Sequence, residues 1–475
     1  MAQELKPEIC VIGTNAGGLT VAAAAAALGV PAVLVENGDM GGKFLERDGS
    51  VPAQALIAAA EHANAMRNGA RFGAKAVRVG IDYAAVSAHM REVIETVAPN
   101  FSRERFAGLG VRVITGAARF SDAETVAVDG FTIKANRFVI ATGSAPVIPA
   151  IPGLLDTPHL TSDSLADLAE LPRHLIVIGA GATGLELAQA FRRLGAEVSV
   201  LEAAIPLAHE DPECAAIVLD ALEREGVKLR AGVETTNVRR VFARVQVSFA
   251  TPAGAETIEG THVLVAAGHA PNLDDLGLET AGISRAAPGI VVDRHLRTTN
   301  KRVYAVGDAT GAGALAHVAS YHAGIVTRQL LLRMPVKVNH LAIPRVIHTD
   351  PELAQIGLRE DEARAQRRAI RVLRWPYREN DRAQAAGETN GHIKVVTDRG
   401  GEILGATIVG AEAGESIAIW ALAISENLNI RAFGGLVAPH PSYAELGKRA
   451  AGTYFSPGLT SPRARRIMGW LRRRG

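Results

Sequence analysis

The first forty residues alternate between two apolar periods. Ile9–Ile12 is a short unbroken apolar run, the length and texture of a strand buried on both faces. It ends in Gly13-Thr14-Asn15-Ala16-Gly17-Gly18. Residues 19–28 then run apolar at helical length, Gly29 closes them, and residues 32–35 read as a second strand ending at Glu36. The same order of elements returns further on. Residues 175–178 form the strand, Gly179-Ala180-Gly181-Ala182-Thr183-Gly184 the turn, and residues 185–194 the helix. Gly195 stops that helix, and residues 197–201 are a strand closed by Glu202. In each copy the acid stands 23 residues after the first glycine.

Strand, glycine turn, helix, strand and acid are the opening of a doubly wound dinucleotide-binding fold. The glycine turn lets backbone approach a pyrophosphate, the helix aims its first N–H groups at that charge, and the acid accepts ribose hydroxyls. The pattern therefore predicts an α/β protein with two Rossmann-like dinucleotide-binding domains. Gly13, Asn15, Gly17, Gly18 and Glu36 would serve the first, and Gly179, Gly181, Gly184 and Glu202 the second. Asn15 stands where the first fingerprint wants its middle glycine. Asparagine tolerates unusual dihedrals, but its side chain adds bulk beside the phosphates. Binding is expected to survive, the alternative being a degenerate site.

Three further short strands end in small residues: 138–141 before Thr142-Gly143, 263–266 before Ala267-Gly268, and 303–306 before Gly307-Asp308. Crevices beyond the carboxyl ends of such strands hold the ligand. Asp308 is expected to bind cofactor hydroxyls ahead of a small-residue helix at 314–324, the alternative being a plain helix cap. After Met334-Pro335 the texture changes. Residues 390–396 and 402–409 alternate as strands and 415–424 have helical periodicity, which reads as an α+β domain. The resulting division is 1–150 and 271–339 for the first dinucleotide-binding and central domain, 151–270 for the second, 340–457 for the α+β domain, and 458–475 for a tail.

With 475 residues, two to four domains are expected. The formal net charge of +2 and the absence of a basic face speak against nucleic acid. The start lacks a signal-peptide pattern and the apolar stretch 19–30 is too short to span a bilayer, so a cytoplasmic protein is expected. Only Cys10 and Cys214 carry sulfhydryls, in no C-x-x-C pattern, and both are expected to be buried and unpaired. The 14 histidines show no ligand spacing, so no metal site is expected.

The chain resembles the class I pyridine nucleotide-disulfide oxidoreductases, in the manner of dihydrolipoamide dehydrogenase and mercuric reductase. The likeness runs through Gly41-Gly42 with Pro52-Ala53-Gln54-Ala55-Leu56, Ala141-Thr142-Gly143 and Gly184-Leu185-Glu186. It continues in Gly268-His269-Ala270-Pro271-Asn272, Leu315-Ala316-His317, Thr349-Asp350-Pro351-Glu352 and His440-Pro441-Ser442-Tyr443-Ala444-Glu445. The resemblance implies FAD in the first unit, a nicotinamide dinucleotide in the second, and a C-terminal domain forming a homodimer. It implies that Glu36, Gly41, Gly42, Ala117, Thr142, Gly143, Ser144, Gly307, Asp308, Ala314, Leu315, Ala316 and His317 meet FAD. Gly179, Gly181, Gly184, Glu186, Glu202, Val233 and Gly268 map to the nicotinamide site. Ala203-Ala204-Ile205 follows Glu202 without a cation, so a free 2′-hydroxyl, hence NADH over NADPH, is expected.

The departures lie at the redox center. The family's two active cysteines map to Phe44 and Ser50, and its flavin-side lysine to Gln54, while its glutamate persists as Glu186. A serine or phenylalanine cannot relay two electrons. The loss of the lysine implies an altered flavin potential and a raised Glu186 pKa. His440 and Glu445 persist, as a proton donor to an acceptor or as an interface brace. The expected activity is transfer from reduced flavin to a non-disulfide acceptor, a quinone-like one favoured, in a pocket of Phe44 and Ser50 completed by the partner's His440 and Glu445. Alternatives are an NADH oxidase, a transhydrogenase-type enzyme, or a flavoprotein partner with little turnover; negligible dihydrolipoamide dehydrogenase activity is expected. The arginine-rich tail with Ile467, Met468, Trp470 and Leu471 suggests peripheral contact with the inner face of a membrane, against a plain basic tail or dimer contact.

Overall fold

The computed structural model describes residues 2–38, 40, 41, 45, 46, 49–75, 79–366, 369–456 and 462–473. Gly42 and Phe44 lie outside the described residues. The chain divides into two compact units. One comprises Met1–Gly179, Arg193–Glu197 and Glu234–Val338, the other Ala180–Arg192, Val198–Val233 and Asn339–Gly475.

In the first unit a five-stranded parallel sheet runs in the order Val303–Ala305, Arg137–Ile140, Ile9–Ile12, Ala32–Glu36 and Arg112–Thr115. Its central strand is buried on both faces, which is why the sequence shows no polar alternation there. Ile9 and Val11 pack with the helices Ala16–Ala27 and Ala316–Leu332. Cys10 and Ile12 pack instead against a smaller sheet of Gln3–Leu5, Phe131–Ile133, Thr125–Val128 and Arg119–Asp122. Each isoleucine or valine so enclosed contributes roughly 1.5–3 kcal/mol. The two helices meet through small residues: a Cβ on Gly17 would stand 3.0 Å from the Ala319 carbonyl oxygen. This unit also holds a three-stranded antiparallel meander, Glu234–Val241, Arg244–Thr251 and Gly254–Gly260, which the sequence pattern did not announce.

The second repeat keeps its order as strand His174–Ile178, helix Ala182–Leu194 and strand Glu197–Glu202. His174–Ile178 pairs in parallel with His262–Val265, and Glu197–Glu202 with Lys228–Ala231. In the second unit a five-stranded antiparallel sheet runs in the order Arg345–Ile347, Glu352–Gly357, Ile403–Gly410, His392–Asp398 and Ile370–Pro376. The helical stretch expected at 415–424 is two helices, Ala413–Ser416 and Ala418–Ser425, interrupted at Ile417. Trp420 stacks on Phe433 with ring centroids 4.1 Å apart and closes the core over that sheet. The helix expected from residue 314 begins at Ala316, after Leu315 in its N-cap position.

Candidate dinucleotide and redox site

Gly13 sits at φ +102°, and a Cβ there would lie 2.1 Å from the Ala141 carbonyl oxygen. Only glycine allows the first turn to press so close to the end of the neighbouring strand. Gly179 repeats this at φ +109°, where a Cβ would stand 2.3 Å from the Ala266 carbonyl oxygen. The two glycine turns thus have the same backbone reason for existing.

Asn15 corrects one expectation. Its backbone is ordinary extended chain, φ −67° and ψ 174°, so no unusual dihedral is being tolerated. It is the N-cap: its Oδ1 accepts from the Gly17 and Gly18 N–H groups at 3.0 and 3.1 Å. Glu36 ends its strand accepting from the Thr14 hydroxyl at 2.5 Å and the Gly38 N–H at 2.9 Å. The Gly116 N–H donates to the Glu36 carbonyl, bringing the exposed Ala117 segment to the same strand end. Opposite, Ser144 donates to Asp308 Oδ2 at 2.6 Å, so Asp308 joins two of the predicted turns, while the N-cap of the helix Ala316–Leu332 is Leu315. Gly143 lies at φ +69°, and the Gly307 N–H donates to the buried His322 Nδ1 at 3.2 Å. Ala314, Ala316 and His317 accompany Leu315 at the start of the helix Ala316–Leu332. Gly41, also at positive φ, is buried and donates to the Phe101 carbonyl. Ser50 opens the helix Ser50–Asn68, with Gln54 exposed one turn on.

In the second repeat Glu202 Oε2 accepts from the Ala180 N–H at 2.7 Å and Oε1 from the Ala204 N–H at 2.8 Å. The Val233 N–H donates to the Glu202 carbonyl at 3.0 Å, which places Val233 beside the acid. Gly268, at φ +98°, accepts from the Val147 N–H through its carbonyl. Glu186, in the helix Ala182–Leu194, is partly buried, and the desolvation of its carboxyl pushes its pKa above the usual range. The His348 N–H opposes that shift by donating to Glu186 Oε1 at 2.7 Å. Sequence reasoning missed His348, because a backbone donor leaves no mark on residue type.

His440 Nδ1 and Glu445 Oε2 are 3.0 Å apart, and the Ser442 N–H also reaches that oxygen. Burial alone would raise the Glu445 carboxyl, but the hydrogen bonds from His440 and Ser442 hold it below its ordinary value. The carboxylate fixes one ring nitrogen and leaves Nε2 facing outward, 3.7 Å from Asp381. Cys10 and Cys214 are both free and buried. No group of three metal-ligating side chains occurs among the described residues.

The residues fit a dinucleotide. Among the described residues the buried Thr142 hydroxyl has no hydrogen-bond partner, and it stands at the crevice beyond the Arg137–Ile140 strand. Paired glycine turns, strand-end acids and an antiparallel C-terminal sheet define a two-dinucleotide oxidoreductase. Residues 7–323 match the pyridine nucleotide-disulphide oxidoreductase family and residues 343–451 its dimerisation domain, and the chain belongs to that family. It is 33% identical over 455 residues to dihydrolipoyl dehydrogenase from Geobacillus stearothermophilus, covering 94% of this chain and 96% of that one. Mercuric reductase from Streptomyces lividans is 31% identical over 457 residues, covering 94% and 96%. Among solved structures, the Cu(II) complex of the HOCl-induced flavoprotein disulfide reductase RclA from Escherichia coli matches with a TM-score of 0.82. That chain is 25% identical, with 94% of this chain and 99% of that one covered. The family consists of FAD-dependent oxidoreductases that use a pyridine nucleotide.

Proposed function

We propose that the protein oxidises NADH through FAD and passes the electrons directly to a non-disulfide acceptor, a quinone-like molecule being favoured. The observation that carries this reading is the state of its sulfur. Cys10 and Cys214 are free and buried, and burial pushes the Cys10 thiol up to about 12 and raises that of Cys214 as well. A sealed, protonated thiol neither attacks a disulfide nor carries electrons through one. The positions that resemble the family's cysteine pair hold Phe44 and Ser50. The names of the relatives, dihydrolipoyl dehydrogenase and mercuric reductase, therefore describe a scaffold whose dithiol relay this chain lacks.

When bound, FAD supplies the two-electron chemistry; the chain holds, orients and manages protons. The Gly13 turn with Glu36, residues 142–144 with Asp308, and residues 314–317 would hold it. The Gly179 turn, Glu202, Val233 and Gly268 would hold NADH, the Glu202 carboxylate favouring a free 2′-hydroxyl over a phosphate. Gln54 offers hydrogen bonds without charge, and the partly buried, desolvated Glu186 keeps a proton more readily than an ordinary carboxyl. His440, oriented by Glu445, would give its Nε2 proton to the reduced acceptor. The dimerisation domain supports a homodimer.

Anaerobic stopped-flow mixing tests this reading. NADH is expected to bleach the flavin absorbance, and a soluble quinone to restore it faster than oxygen or a nicotinamide analogue. NAD-dependent dihydrolipoamide oxidation at a rate comparable to quinone turnover would overturn the proposal. Oxygen as the fastest oxidant would make the protein an NADH oxidase, and no bleaching would make it a flavin-bearing partner.

Membrane contact rests on the helix Pro462–Leu471, which lies beyond the dimerisation domain. Met468, Trp470 and Leu471 are exposed there alongside Arg466, Arg472 and Arg473, a pairing suited to an anionic surface. No helix among the described residues is long and apolar enough to cross a membrane. Removing residues 461–475 is expected to abolish co-sedimentation with anionic vesicles at unchanged flavin content. Retained co-sedimentation would sink the idea.

A further inference from the structure

The N-terminus of the helix Ala16–Ala27 is already occupied by the chain itself. Asn15 Oδ1 takes the N–H groups of Gly17 and Gly18, two of the donors that a helix start leaves open. Such donors, with the helix dipole behind them, are what a dinucleotide pyrophosphate uses at a glycine turn. The Asn15 amide also reaches toward the neighbouring turn, since a Cβ on Gly143 would lie 3.7 Å from Asn15 Nδ2. The Ile9–Ile12 and Arg137–Ile140 strands are adjacent and parallel, so both turns rim one crevice beyond their carboxyl ends. Beside Gly143, the Thr142 hydroxyl is buried with no partner among the described residues, which marks the crevice as a ligand site. In the second repeat the corresponding position is Gly181, where a Cβ would meet nothing within 4 Å. The second turn is open; the first is stoppered.

We propose that Asn15 is an intramolecular competitor for the FAD pyrophosphate. It caps the helix when the cofactor is absent and must give up its two N–H partners when the cofactor binds. The first site is thereby tuned toward weaker, more exchangeable FAD, while the nicotinamide site carries no such restraint. The inference rests on FAD occupying the first unit and is independent of which acceptor takes the electrons.

Two substitutions separate competition from simple capping. Glycine at an N-cap costs a helix little, so Asn15→Gly removes the competitor while leaving the fold intact. FAD released from the purified holoprotein on serial dilution is followed by its fluorescence, which needs no turnover. Asn15→Gly is expected to hold FAD about twofold more tightly, the small gain that follows from glycine giving up little as an N-cap. Asn15→Asp keeps the capping oxygen, adds charge favoured by the helix dipole, and sets that charge against the pyrophosphate. It is expected to raise the melting temperature of the FAD-free chain while weakening FAD about tenfold or more, a sign reversal that capping alone does not produce. NAD affinity measured by calorimetry should stay unchanged in both variants. FAD binding in Asn15→Gly that is equal to or weaker than in the parent would overturn the proposal. So would an Asn15→Asp variant that holds FAD as the parent does.

Discussion

Replacing Lys394 with methionine will lower stability by about 3–5 kcal/mol, the range for breaking a buried ion pair by removing one partner. Lys394 lies in the His392–Asp398 strand with its side chain 5% exposed, and its ammonium reaches Asp211 at 2.8 Å, Glu360 at 2.9 Å and Glu213 at 3.2 Å. Arg374 completes the group through Glu213 and Glu360. Burial works against the ammonium, but the hydrogen bonds to Asp211 and Glu360 outweigh it and hold the Lys394 pKa above its ordinary value. Methionine fills the space yet leaves the Asp211 carboxyl, whose side chain is 1% exposed, without its lysine.

The effect carries a pH signature. Arg374 draws Glu213 down to about 2; Glu360, despite burial, is also drawn to about 2 by Lys394 and Arg364. Groups depressed on folding stabilise above their unfolded values and lose that contribution as pH falls through the folded ones. The gap between parent and Lys394→Met should therefore be widest near neutrality and narrow between about pH 4.5 and pH 2. Urea unfolding at several pH values checks this. A neutral-pH loss below about 1 kcal/mol would mean the cluster is no more than a surface network.

Glu202→Ala is expected to lower the NADH to NADPH preference by about 10- to 100-fold. That range corresponds to one charge-assisted hydrogen bond to a ribose hydroxyl lost and one like-charge repulsion relieved. The residue also ties the Ala180 and Ala204 N–H groups, so Glu202→Gln serves as the control that keeps an acceptor in place. Comparing kcat/KM for the two nucleotides with one acceptor reads the effect. An unchanged ratio would place nucleotide choice elsewhere.

The dinucleotide half of this site was legible because its chemistry is local. A glycine turn, the helix it feeds and the acid that closes the unit lie within two dozen residues, so Gly13 to Glu36 and Gly179 to Glu202 announce themselves. What escaped was non-local or carried by backbone. Lys394 and Asp211 are 183 positions apart, and neither residue type hints at the other. The His348 N–H on Glu186 has no side-chain signature. Asn15 was noticed as a misfit, but its role depends on where Oδ1 points, which composition does not encode. The small sheet within the first unit was missed because strands such as Phe131–Ile133 are too short for a period to emerge.

Cys10 has a consequence for inhibition. Its sulfur is enclosed between the parallel sheet and the small sheet beneath it, with no exposed surface. Thiophilic metals and alkylating electrophiles act on an exposed thiolate, not on a sealed, protonated thiol. The packing of the Ile9–Ile12 strand withholds the Cys10 sulfur and Cys214 is enclosed as well, so reagents of this kind meet no exposed cysteine on the chain.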